Sequence, residues 1–103
     1  MTADVHWRDR AVEDAYDIWL HVSESNPPAA NKLLDRIYAA TDLLQRFPDS
    51  GSPRTEIAPE ARAVVIAPYL LLYTHRGGSV HIVRVVHGHR ALSQFSADFE
   101  FEV

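Results

Sequence analysis

Apolar positions recur along this chain with two different periods, and the switch between them divides it. Residues 3–7 alternate, with Ala3, Val5 and Trp7 on one side and Asp4 and His6 on the other. That pattern predicts a half-buried strand. Ala11, Ala15, Ile18, Trp19 and Val22 then recur at helical spacing. A helix over about residues 10–24 follows, with one buried stripe and with Asp14, Asp17 and His21 largely on its outer side. Asp9 stands where a side-chain oxygen can cap its free amides. Ser25-Asn26-Pro27-Pro28 interrupts the period. Asn26 suits the cap of a second helix, and Pro27 its first turn, where no backbone donor is needed. Ala30, Leu33, Leu34, Ile37, Ala40, Leu44 and Phe47 give that helix its apolar face, and Pro48 ends it. A break this short between amphipathic helices predicts an antiparallel αα-hairpin with one shared apolar side.

Residues 52–61 carry neither period and read as loop. From Arg62 the pattern is that of strands: Arg62–Ala67, then Tyr69–Arg76 beyond Pro68, then Ser79–His87 beyond Gly77-Gly78. Paired glycines suit a two-residue hairpin turn, which needs positive φ. The turn sets a register, with Arg76 opposite Ser79, Tyr73 opposite Ile82 and Leu71 opposite Arg84. One face then carries Leu70, Leu72, Val83 and Val85 and is the expected seat of the helices. The other carries Tyr69, Leu71, Tyr73, Val80, Ile82 and Arg84. Two helices cover one face, so the second needs a partner segment or the chain's own tail. Residues 91–103 end in the alternation Phe99-Glu100-Phe101-Glu102-Val103, which suits an edge strand or an arm. The expected fold class is α+β: an N-terminal strand, an αα-hairpin and a three-stranded antiparallel meander, forming one sheet packed on the helices.

Length and composition narrow this without changing it. A chain of 103 residues makes one domain, 1–103, and 47% hydrophobic content suits a packed core. With no cysteine there are no disulfides, thiolate metal sites or thiol nucleophiles. No apolar run approaches a membrane span, and Met1–Arg10 has no apolar signal core, so the expectation is a cytoplasmic protein without membrane contact. The net charge of −4 is unevenly spread. Residues 1–53 hold five Lys/Arg against nine Asp/Glu, residues 54–90 hold five Arg against two Glu, and residues 91–103 are purely acidic. The whole field does not attract a polyanion. His87-Gly88-His89 lacks a third ligand, so neither metal nor cofactor is expected.

Particular residues carry a resemblance. The first strand and helical hairpin are followed by the linker Phe47-Pro48-Asp49-Ser50-Gly51-Ser52-Pro53-Arg54. Then come Arg62, the tract Tyr69-Leu70-Leu71-Leu72-Tyr73, and the ending Val83-Arg84-Val85-Val86-His87-Gly88-His89-Arg90. Over about residues 3–92 this resembles the RelE/ParE toxin superfamily, and the ending is more similar to its ParE branch. The resemblance implies a toxin of a type II toxin–antitoxin system with a three- or four-stranded antiparallel sheet on the helical hairpin. It implies a cognate antitoxin, ParD-like or other, in a heterotetramer or higher assembly, with DNA reached only through that antitoxin. It also implies one of two targets. ParE-branch toxins act on DNA gyrase and block replication; RelE-branch toxins cleave mRNA on the ribosome. A third reading is a toxin fold that survives as a non-toxic binding module.

The residues bear on that choice. Metal-free RNA cleavage needs an activated 2′-hydroxyl, a stabilised phosphate and a protonated leaving oxygen. Arg62 and Arg84 suit the phosphate, His87 or His89 the proton, and Tyr73 a nucleotide. Alternation, however, sets Arg84 and His87 on opposite faces, and dense basic character is absent. Protein binding is therefore favoured, with Arg54, Arg62, Tyr69, Leu71, Tyr73, Arg84, His87 and Arg90 as contact residues. An antitoxin is expected to lay an amphipathic helix on the hairpin and an extended segment along the sheet. The acidic helical half would complement a basic antitoxin arm. Structural roles compete throughout. Arg62 can simply pair with Glu60 or Asp49, Arg84 must meet carboxylate, carbonyl or ligand, and Trp7, Tyr16, Trp19 and Tyr38 read as core or helix-packing residues.

Overall fold

The structure is a computed structural model and describes residues 2–100. Strand β1 (Asp4–Trp7) leads into helices α1 (Asp9–Ser25) and α2 (Pro27–Arg46). Strands β2 (Ser52–Pro53), β3 (Arg62–Ile66), β4 (Tyr69–Arg76) and β5 (Ser79–His87) follow, and a 3₁₀ helix, Leu92–Phe99, closes the described chain. The strands form one sheet in the order β1-β5-β4-β3-β2. The α+β architecture is the expected one, with two additions. β1 lies parallel to β5, with Asp4 opposite Ser79 and Trp7 opposite Ile82, so the sheet is mixed. β2 pairs with Arg62 and Ala63 from inside the segment that reads as loop. Two residues are too few to show a period.

The helical hairpin forms where its stripes predict. Asn26 caps α2 by accepting the Ala29 amide at 3.1 Å, with proline in the first turn. The other cap differs: Asp9 is already helical, and Arg8 occupies the cap position without a side-chain bond. Asp9 still suits the positive end of the helix dipole. Phe47 lies just past α2 and is 58% exposed, so it leaves the apolar face assigned to it.

Gly77 and Gly78 both take positive φ and set Arg76 opposite Ser79 and Tyr73 opposite Ile82, as expected. One extra residue, Val83, then bulges from β5. Leu72 therefore faces Arg84, and Leu71 faces Val85 instead of Arg84. A bulge shifts every later partner by one. The faces are also reversed relative to the expectation. Leu71, Tyr73, Val80, Ile82 and Val85 pack beneath the helices against Ala11, Leu33, Ile37, Ala40 and Leu44. Of the four residues expected there, only Val85 is present. Leu70, Leu72, Val83 and Val86 form a second core on the opposite face with Ile57, Ala61, Phe95 and Phe99. Both faces are apolar, so their composition does not say which one the helices choose. The chain's own 3₁₀ helix covers the second face. Phe101, Glu102 and Val103 of the expected alternation lie outside the described residues.

Candidate functional site

β1 ends early, and β5 runs on beyond it. The Arg8 amide donates to the Ile82 carbonyl at 3.0 Å, and past that point the β5 edge faces α1 directly. Asp14 of α1 fills the gap. Its carboxylate accepts the Val85 amide at 3.0 Å and takes Arg84 in a two-pronged grip, Nε at 2.6 Å and Nη2 at 3.0 Å. Asp98 of the 3₁₀ helix accepts Nη1 at 3.3 Å, and the guanidinium carbon lies 4.9 Å from the Phe95 ring centre. Only 11% of the Arg84 side chain and 12% of Asp14 is exposed. Hydrogen bonds from Arg84 to Asp14 hold the guanidinium's proton more tightly than usual, against the opposing effect of burial. A desolvated guanidinium needs such partners. It finds them inside the chain.

Beside this network lies an open groove of ≈ 380 Å³, lined among others by Arg10, His21, Tyr69, Arg84, His87 and Arg90. His87 faces Tyr69 across the strands, ring centres 5.5 Å apart and nearly perpendicular, and stacks on His89 at 4.8 Å. Its Nδ1 accepts the His89 amide at 3.2 Å. In the neutral ring that bond leaves the proton on Nε2. The bulge precedes both Arg84 and His87, so alternation still sets them on opposite faces. At the strand edge both nonetheless border the same groove.

A second cluster ties the α2–β2 linker to the sheet. Buried Tyr73 donates its hydroxyl to the Pro48 carbonyl at 2.8 Å and accepts the Gly51 amide at 2.9 Å. Burial pushes the phenol's pKa up, and the Gly51 amide partly offsets this. Arg62 Nη1 donates to the carbonyls of Asp49 and Gly51 at 2.9 and 2.7 Å, and His75 Nδ1 lies 3.0 Å from Asp49 Oδ1. A Cβ on Gly51 would fall 2.5 Å from Tyr73 Cε1, so only glycine fits. The Phe-Pro-x-x-Gly linker is thus a structural element. Of the two acids open to Arg62, Asp49 is its neighbour at 3.8 Å. Glu60 goes to Arg76, whose hydrogen bond holds that carboxyl below its ordinary value.

The expected contact residues therefore separate. Tyr69, Arg84, His87 and Arg90 meet at the β5 groove. Arg62 and Tyr73 form the linker clamp. Leu71 and Tyr73, also expected as contact residues, are fully buried, because the helices cover the face opposite to the expected one. Arg54 sits in the 54–61 segment with its Nε buried and unbonded. Sequence reasoning misses Asp14, Asp98, Arg10 and His21 as members of the site. It sets Asp14 on the outer side of α1, yet Asp14 lies three residues after Ala11 and four before Ile18, on the inward stripe. That spacing is the available signal. Among the described residues no three His, Asp or Glu are grouped to hold a metal, and no helix is long and apolar enough to cross a membrane.

Residues 5–92 match the family described as ParE toxin of type II toxin-antitoxin system, parDE. Toxin RelE2 of Caulobacter vibrioides is 35% identical over 88 residues, covering 85% of this chain and 98% of that protein. A solved structure described as the chromosomal ParDE TA system from P. aeruginosa shares the fold. It has TM-score 0.72 and 21% identity, with 84% of this chain and 96% of that one covered. The family match spans β1, the hairpin, the linker and the whole meander, so the chain belongs to the ParE toxin family of type II toxin–antitoxin systems, within the RelE/ParE superfamily.

Proposed function

We propose that this toxin works by binding protein and not by cleaving RNA. In this reading it inhibits DNA gyrase, and hence replication, and a cognate antitoxin neutralises it. The state of Arg84 carries the choice. RNA cleavage without a metal relies on a free cation to stabilise the phosphate in the transition state. Each of the three Arg84 nitrogens instead donates to a carboxylate, two to Asp14 and one to Asp98. Arg62 is engaged by two linker carbonyls. His87, with its proton on Nε2, is not poised as the base that would activate a 2′-hydroxyl. The antitoxin half of the reading draws support from the family's description and from the ParDE description of the structural relative.

Tightly controlled expression, with DNA supercoiling and mRNA integrity followed in the same cells, tests this. Arrested supercoiling with intact message is the expected result. Cleavage of ribosome-bound message, abolished by Arg84→Ala, would overturn it in favour of a nuclease. Harmless expression of folded chain would assign it instead to the non-toxic binding modules.

A further inference from the structure

α1 presents one flank to the end of β5. Arg10, Asp14, Asp17, Ile18 and His21 recur along that flank at helical spacing, and all line the ≈ 380 Å³ groove beside the Arg84 network. The network settles its own charges. Asp14 is committed to Arg84 and to the Val85 amide, and Asp98 turns to Arg84 as well. Two cations are left over. Arg10, with 63% of its side chain exposed, reaches the committed Asp14 only at 3.9 Å. Arg90 is exposed and enters no ion pair among the described residues. One further acid, exposed Asp17, lines the groove against them. The groove is therefore locally cationic on a chain of net charge −4.

Its walls are mixed. Ile18 and half-buried Tyr69 supply apolar surface, and the His87 ring braces Tyr69 edge-on at 5.5 Å. We propose that this groove holds a short extended segment of a second protein. That segment carries one or two carboxylates for Arg10 and Arg90 beside an aromatic or aliphatic side chain for Tyr69 and Ile18. From Arg10 to His21 the helix rises about 16 Å, the span of about five residues of extended chain. A guanidinium takes a carboxylate in a two-pronged bond, so one acid at each arginine suffices. A nucleic-acid strand suits the groove less well. Exposed Asp9, Glu13 and Asp17 on the same helix repel a continuous run of negative charge, and two cations release few counterions. The basic arm expected of an antitoxin has the wrong sign here. On the function proposed above, the segment belongs to the toxin's target; only its owner, not its chemistry, rests on that reading.

The isotope-labelled full chain is titrated with three capped hexapeptides. They share one sequence with a central Phe and differ only in the two residues flanking it, which are Glu, Gln or Lys. NMR signals of the arginine and histidine side-chain N–H groups report the site directly. The Glu peptide should give saturable shifts at Arg10 and Arg90, bind about fivefold more tightly than the Gln peptide, and lose that margin as salt rises. Arg10→Gln with Arg90→Gln, at exposed positions and verified as folded by circular dichroism, should erase the margin. Arg10→Glu with Arg90→Glu should transfer the preference to the Lys peptide. Equal binding of the Glu and Gln peptides, or shifts that leave Arg10 and Arg90 unmoved, would overturn the assignment. So would a single-stranded RNA hexamer that moves the same signals and binds more tightly than the Glu peptide. The two readings fail separately. If the Arg10→Gln, Arg90→Gln chain arrests supercoiling in cells as fully as the parent, the groove assignment falls and the toxin function stands. If expression of the parent is harmless yet the Glu peptide binds with the expected margin, the function falls and the groove stands.

Discussion

At Arg84 a guanidinium with 11% of its side chain exposed is held in place by a carboxylate 70 residues away in sequence. Asp14→Ala removes two hydrogen bonds from Arg84 and one from Val85 at once, and it leaves a charge with little solvent. Breaking such a pair costs about 3–5 kcal/mol, which is a fall in melting temperature of more than about 12 °C for a domain this size. Asp14→Ala combined with Arg84→Leu should recover much of that loss, because no orphaned charge remains. A double variant no more stable than Asp14→Ala alone would show that the network matters for its shape and not for its charge. Asp98 is more open, 30% exposed and at 3.3 Å, so Asp98→Ala should cost below about 1 kcal/mol in the same melts. The linker clamp is equally specific. Gly51→Ala drives a methyl into the Tyr73 ring and to 2.9 Å from the Ala63 carbonyl. Destabilisation of about 1–3 kcal/mol is expected in denaturant titrations. Tyr73→Phe keeps the ring but strands the Gly51 amide and Pro48 carbonyl, for a loss of about the same size.

Among the elements, the helices are legible in the sequence because each stripe repeats over several turns and Asn26-Pro27 marks the boundary between them. The Gly77-Gly78 turn is legible for the same kind of reason, since its chemistry admits few conformations. β2 is not, because two residues carry no period. The Val83 bulge is not either. Nothing in the composition of Ile82-Val83-Arg84-Val85-Val86 marks the extra residue, as all but Arg84 are aliphatic. The candidate groove suffers most from this, since a register one residue out sets Leu71 and Arg84 opposite each other. Its acidic member, Asp14, pairs across a distance that no local pattern encodes. Two consequences belong to this scale. Phe95 and Phe99 are only 4% and 7% exposed in the second core. Phe95→Ala should therefore cost about 3–5 kcal/mol, and truncation before Leu92 should raise binding of an apolar dye and promote aggregation. Unchanged solubility and dye binding would mean that the 3₁₀ helix is dispensable as a cover. The second consequence concerns β1. His6 and His81 stand opposite each other on β1 and β5 with rings stacked 5.4 Å apart. Burial first, then Arg8, His6 and Arg76, lowers the His81 pKa from 6.5. The folded state thus favours neutral His81. That contribution is present above the unfolded value and is lost as pH falls through it toward the lower folded one. Melting temperature should drop between about pH 7.5 and about pH 5.5, and His81→Gln should flatten part of that drop.

For the molecule as a whole, the distribution of charge matters more than its sum. The basic stretch from Arg54 to Arg90 suggests a polyanion site when read alone, but the fold matches it internally. Arg62 lies on Asp49 and the linker carbonyls, Arg76 on Glu60, and Arg84 on Asp14 and Asp98. The remaining field is that of a chain with net charge −4. Affinity for nucleic acid comes chiefly from cations that displace counterions from phosphates, and each such contact steepens its dependence on salt. Here Arg10 and Arg90 border the β5 groove, but Arg10 already lies 3.9 Å from Asp14. Gel-shift titrations with single-stranded RNA and with duplex DNA at physiological salt should therefore show no retention at about 10 µM chain, at the weak end of non-specific binding. Lower salt should bring only weak binding, with a shallow slope of about two phosphate contacts or fewer. The outcome discriminates at molecular scale between the two targets of the superfamily. Tight retention with a steep slope, lost in Arg84→Ala, would mean that Asp14 and Asp98 release Arg84 to a phosphate and would restore the nuclease reading. Failure to bind while supercoiling is blocked in cells would leave a protein surface as the toxin's only route to its target.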